Sequence, residues 1–158
     1  MKSLIKFIIN TIVIIVLILA LIVGYTWYQK KQGKVAYLFN YATFAVTGDS
    51  MRPTIEAGDL LFIHKENSYS EGDIVTYVND QKQIVTHRIV GTDEEGLFIT
   101  QGDNNKFEDT KHISTNQIYG KVIYDFTAYD EIVSFLLTYK WYLIIGFIIL
   151  SIAGRLLL

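Results

Sequence analysis

Hydrophobic positions crowd both ends of the chain and alternate with polar ones in between. From Phe7 to Val23, seventeen residues are interrupted only by Asn10 and Thr11. Continued as a helix to Tyr28, this run measures roughly 33 Å, enough to cross a hydrocarbon core, with Tyr25, Trp27 and Tyr28 as an interfacial aromatic belt. Lys2 and Lys6 give it the basic start of a secretory signal. The apolar run is longer than the roughly 7 to 15 residues of such a signal, however, and no small-x-small cleavage site precedes Lys30-Lys31, so an uncleaved anchor over 1–28 is predicted. A second apolar run, Trp141 to Leu158, is opened by Tyr139, Trp141 and Tyr142. At about 27 Å it predicts a shorter C-terminal transmembrane helix over 141–158, with Arg155 able to snorkel to the far interface. A terminal helix lying on the membrane is the alternative.

Between these ends the period shortens to that of strands. Gly58-Asp59 introduces Leu60 to His64, and Gly72-Asp73 introduces Ile74 to Val78. Asn79 to Lys82 turns the chain back into Gln83 to Val90, Gly91 to Gly96 turns it into Leu97 to Gln101, and Gln117 to Phe126 closes the series. These connections are too short for helical crossovers, so the strands pair antiparallel. The predicted class is mainly β: a small antiparallel β domain over 29–140, flanked by N- and C-terminal transmembrane helices. Thr127 and Asp130 mark a helix start leading to Lys140. Tyr37, Phe39, Tyr41 and Phe44 crowd the segment before the first strands; core packing explains them first, an apolar surface resting on a bilayer second.

Composition sharpens this picture. A chain of 158 residues with 51% apolar and 19% charged residues is too apolar for an ordinary soluble domain. If both ends span, the middle lies on one side, and Lys2 and Lys6 before the first span against Lys30, Lys31 and Lys34 after it do not decide which. A net charge of −2 with no basic stripe excludes nucleic acid as a partner, and the lack of cysteine excludes disulfides and thiol chemistry.

The candidate chemistry begins at "TGDSMRPT", 47–54, which holds the chain's single proline three residues after Ser50. Gly48 lets the backbone turn and a substrate approach, and Pro53 fixes the chain just beyond. A serine hydroxyl needs a positioned base before it can act as a nucleophile, although Gly-Asp-Ser is also ordinary turn composition. Of three histidines, His64 at a strand end and His112 in a polar loop read as solvated surface. His87 differs, because alternation through Gln83 to Val90 puts it on the face of Val85 and Ile89, the place for a core imidazole or a general base. A third group would hold the imidazole's tautomer, and the loop Gln101 to Asp109 offers Asp103, Glu108 and Asp109. That loop lacks the spaced ligands of a calcium site, and no histidine pair has zinc spacing, so no metal or other cofactor is expected.

Taken together, "GDSMRPT", "GDLLFI", "GDIVTY", "THRIVG" and "QGDNN" occur in the order of the boxes of type I signal peptidases, and the chain resembles that family over roughly Val46 to Asp109. The resemblance implies an extracytoplasmic β-fold serine endopeptidase in a multi-pass cell-membrane protein. It implies substrates that are signal peptides of exported preproteins, with small residues one and three positions before the cut, and it leaves room for an accessory membrane protein. In the common bacterial branch a lysine stands before "RVIG". Here His87 precedes Arg88-Ile89-Val90-Gly91, similar to the endoplasmic-reticulum and archaeal branch also found in some Gram-positive bacteria. Carried over by position, Ser50 is the nucleophile, His87 the base, Asp109 the orienting acid with Glu108 as its alternative, and Asp103 a supporting carboxylate.

One departure concerns the oxyanion. The endoplasmic-reticulum branch has Ser-Gly-Ser-Met where this chain has Gly48-Asp49-Ser50-Met51. Gly48 therefore brings no hydroxyl, leaving the Ser50 amide as the best donor, and a lost donor costs about 100-fold or more in rate. Two other readings stay open: a self-cleaving serine protease domain of related fold, and a non-catalytic membrane-tethered β module that binds exported proteins.

Overall fold

The computed structural model describes residues 2–127 and 129–156. Its elements are a helix α1 (Lys2–Lys31), six strands, β1 (Tyr41–Ala45), β2 (Leu60–His64), β3 (Ile74–Val78), β4 (Ile84–Thr92), β5 (Phe98–Gln101) and β6 (Ile118–Phe126), and a helix α2 (Tyr129–Leu156). The chain divides into two compact units, the sheet unit Tyr37–Glu131 and a helical unit made of Met1–Ala36 and Ile132–Leu158.

The six strands form one sheet in the order β1-β2-β6-β3-β4-β5, every neighbouring pair antiparallel. The predicted strand positions hold to within one or two residues, and the aromatic segment ahead of them supplies a further strand, β1. The Gly-Asp pairs that announce β2 and β3 share one device. Gly58 and Gly72 adopt φ of 97° and 91°, open to glycine, and each following aspartate accepts the N–H three residues back, Asp59 from Glu56 at 2.8 Å and Asp73 from Ser70 at 3.0 Å. At the β3–β4 turn, Asn79 Oδ1 accepts the amides of Gln81 and Gln83 at 3.0 and 2.9 Å, which sets the register that pairs Val75 with His87.

The inward positions of these strands make the core: Val75, Tyr77, Ile89 and Ile118 pack with Tyr69 and Ile113, and Leu61 and Ile63 are fully buried. Of the four aromatics at 37–44, two are partly buried and two exposed, although the Tyr41 ring lies 4.6 Å from that of His64. The Tyr37 hydroxyl donates to the Tyr119 carbonyl at 2.7 Å, and Phe44 stacks on the Tyr119 ring at 5.7 Å. Phe39 and Tyr41 are exposed.

At the N-terminus, Lys6–Gln29 within α1 is, among the described residues, the one helical stretch long and apolar enough to cross a membrane. The C-terminal segment differs from the expected separate span over 141–158. α2 starts at Tyr129 and runs unbroken through Lys140-Trp141, because no glycine or proline interrupts the chain there to end a helix. Asp130, Glu131 and Lys140 fall within it, so the helix as a whole is not a uniformly apolar span.

Candidate active site

Ser50 lies on the turn between β1 and β2, and His87 on β4, where alternation makes it inward-facing and 6% exposed. The fold brings them into contact: His87 Nε2 is 3.1 Å from Ser50 Oγ, and His87 Nδ1 is 2.6 Å from Asp109 Oδ2. An ionised carboxylate can only accept, so Nδ1 carries the ring proton and Nε2 accepts from the serine hydroxyl. Such an imidazole can strip the hydroxyl proton while the carboxylate steadies the charge that develops on the ring.

Asp109 reaches this place because its amide donates to the Thr100 carbonyl at 2.7 Å, closing the 102–108 loop back onto β5. Its Oδ2 also receives the hydroxyls of Thr100 at 2.6 Å and Tyr77 at 2.9 Å. Burial opposes ionisation of Asp109, but the hydrogen bonds from His87, Thr100 and Tyr77 outweigh it and hold the carboxyl below its ordinary range. Burial pushes the Tyr77 phenol well up, so it stays a donor. Neither Tyr77 nor Thr100 was singled out from the sequence. The available signal was a hydroxyl at an inward position of a strand, easily read as core.

The other sequence candidates sort differently. Asp103 lies in the same loop but pairs elsewhere: Arg88 Nε and Nη2 grip its two oxygens at 2.9 and 2.7 Å, and Thr54 Oγ1 donates to Oδ2 at 2.5 Å. The Arg88 bonds, then Thr54, lower its pKa against the effect of burial. Asp103 thus ties β4 to the turn that carries Ser50. Glu108 is exposed. His64 pairs with Glu66 at 3.5 Å and His112 with Asp93 at 2.6 Å, both away from Ser50's hydrogen-bond set. Among the described residues no group of three or more His, Asp or Glu is placed to hold a metal ion.

The "QGDNN" loop also clamps the nucleophile's backbone. The Asn104 amide donates to the Ser50 carbonyl at 2.8 Å, and its side chain donates to the Asp49 carbonyl at 3.1 Å. Gly102 lies so close that an added Cβ would stand 2.6 Å from the Ser50 carbonyl oxygen and 2.8 Å from the side-chain Nδ2 of Asn105. Gly102→Ala is therefore expected to push this loop off the Ser50 turn. A destabilisation of about 1 to 3 kcal/mol, as for other overpacked sites, should appear as a lower thermal midpoint together with slower catalysis. An unchanged midpoint and rate would show that the contact is not rigid.

Two hollows adjoin these residues. One of about 200 Å³ lies beside Gly48 and Met51 and is walled by Ala45, Val46, Ile55 and Leu61. A larger one, of about 380 Å³, is bounded by Tyr77, His87, Asp109, Lys111 and Gln117. At Gly48 an added Cβ would meet nothing within 4 Å, so the missing hydroxyl is a chemical departure and not a steric necessity.

A serine paired through histidine to an aspartate is an arrangement seen in serine hydrolases, and residues 26–123 match the Peptidase S24-like family model: the chain belongs to that family. Among its relatives, Signal peptidase I W of Bacillus subtilis is 31% identical over 110 residues, covering 66% of this chain and 56% of that protein. The signal peptidase complex catalytic subunits SEC11 of Candida tropicalis and sec11 of Neurospora crassa are 38% and 40% identical over 79 and 81 residues. Each of these two alignments takes in 47% of this chain, and they cover 48% and 47% of those proteins. The chain thus spans about half the length of the curated relatives it matches. Their names agree with the resemblance to type I signal peptidases drawn from the motif order.

Proposed function

We propose that this protein is a membrane-anchored serine endopeptidase that removes signal peptides from exported preproteins, with Ser50 as nucleophile, His87 as general base and Asp109 as the acid that orients it. The observation that carries the reading is the relay of contacts from Ser50 Oγ to His87 Nε2 at 3.1 Å and from His87 Nδ1 to Asp109 at 2.6 Å. The names of the relatives supply the substrate class. In the reaction His87 takes the Ser50 proton as Oγ attacks the scissile carbonyl, then hands it to the leaving amine. Water, deprotonated by the same ring, releases the acyl group. The Ser50 amide is the donor offered to the oxyanion, with no hydroxyl from Gly48.

The hollow beside Gly48 and Met51, walled by Ala45, Val46, Ile55 and Leu61, is the candidate seat for the side chains just before the cut. Asp103 acts through structure, bracing β4 and the Ser50 turn by way of Arg88 and Thr54. α1 anchors the enzyme, α2 is read as a second membrane segment from Trp141 onward, and the sheet unit works on the extracytoplasmic side. Because the Candida and Neurospora relatives are named as subunits of a complex, an accessory membrane protein is the partner to seek.

The test is cleavage of a purified preprotein by the full-length chain in detergent or vesicles, followed by mass spectrometry of both. The expected result is a mature product cut after a small-x-small sequence and an enzyme of unchanged mass. A shortened enzyme with intact preprotein would favour the self-cleaving reading, and no cut in either would favour the binding module.

A further inference from the structure

The oxygen of Asp109 that meets His87 is unusually well supplied with donors. Tyr77 on β3, His87 on β4 and Thr100 on β5 come from three adjacent strands. Register puts them on one face: Val75, two residues from Tyr77, pairs with His87, and Ile89, two residues from His87, pairs with Thr100. All three converge on Asp109 Oδ2, at 2.9, 2.6 and 2.6 Å. Thr100 is fully buried and Tyr77 is 3% exposed. Each hydroxyl has a single hydrogen, and an ionised carboxylate has none to give. Both hydrogens therefore point at Oδ2, and the 3.2 Å contact between Tyr77 Oη and Thr100 Oγ1 carries no proton.

From this geometry we propose that Tyr77 and Thr100 are positioning residues of the reaction, a proposal that rests on the Ser50–His87–Asp109 reading. Their two hydroxyls pin the carboxylate so that Oδ2 faces the imidazole. They also share its negative charge, keeping Asp109 ionised and a weaker base than it would otherwise be, so the proton taken from Ser50 stays on the ring. Without them the carboxylate can rotate about its Cβ–Cγ bond, and the charge it directs at the imidazolium grows. The two consequences differ in kind: lost alignment lowers the rate, and a less satisfied carboxylate stabilises the protonated ring, which holds the base out of action up to a higher pH.

The experiment compares Tyr77→Phe, Thr100→Val and Thr100→Ser with the wild type as full-length chains in vesicles. Initial rates on a purified preprotein are measured across pH, and thermal unfolding is recorded for each variant. Tyr77→Phe and Thr100→Val are expected to lower kcat by about 10-fold with little change in KM, and to move the acid limb of kcat/KM upward by about half a pH unit. Thr100→Ser, which keeps the hydroxyl, retains both the rate and the profile. Wild-type kinetics in the first two variants, or a loss uniform across pH and equally severe in Thr100→Ser, would overturn the proposal in favour of simple packing. If Thr100→Val does not fold, Tyr77→Phe carries the same test. Ser50→Ala alongside separates the two levels: cleavage by it removes the underlying triad, whereas its inactivity beside fully active Tyr77→Phe and Thr100→Val removes only the present proposal.

Discussion

Ser50→Ala is expected to abolish preprotein cleavage, with a loss of about 10⁶-fold in kcat, while the chain still accumulates in membranes. The size follows from the chemistry: with Oγ gone, the lone pair on His87 Nε2 has no hydroxyl proton to take, and no acyl-enzyme can form. The residual rate would come from substrate positioning and the Ser50 amide, which the substitution leaves in place. Little structural cost is expected. The backbone of residue 50 is held through its carbonyl by the Asn104 amide, and among the described residues the hydroxyl's hydrogen-bond partner is His87. An acylating inhibitor that labels the wild type should leave the variant unlabelled. Undiminished processing by Ser50→Ala would overturn the catalytic assignment, and labelling of both forms would place the reactive group elsewhere.

Asp109→Asn is expected to cut kcat by about 10⁴-fold, whereas Glu108→Gln should cleave at close to the wild-type rate. An asparagine can turn its amide toward His87 Nδ1, favouring the tautomer whose Nε2 carries a hydrogen and cannot accept the serine proton. It also leaves an NH₂ among the Tyr77 and Thr100 hydroxyls, which are arranged as donors. Glu108 makes a fair control because it is the neighbouring acid, equally charged, but exposed. Steady-state rates with thermal midpoints for both variants decide the matter. A severe loss in Glu108→Gln with Asp109→Asn unimpaired would reverse the assignment of the acid.

These two neighbours show where local pattern stops being informative. Asp103, Glu108 and Asp109 are equivalent as composition, all acids in one polar loop. What separates them is the path of that loop, closed by the Asp109 amide on the Thr100 carbonyl and braced by Arg88 on Asp103. Arg88 follows His87 directly, so alternation sends the two side chains to opposite faces of β4, and the loop's first acid is drawn to one and its last to the other.

Local chemistry determined a good deal. The apolar run at the N-terminus, the Gly-Asp turns, the strand positions and the inward aspect of His87 each depend on residues within a turn or a strand of one another, where backbone sterics and burial leave few choices. Long-range pairing decided the rest. That β6 lies between β2 and β3, that the Ser50 turn meets β4, and that two hydroxyls from separate strands share one carboxylate oxygen are all set by which distant segments bury their apolar faces together. The same absence of a local stop let α2 run on through Lys140, where composition alone had drawn a boundary.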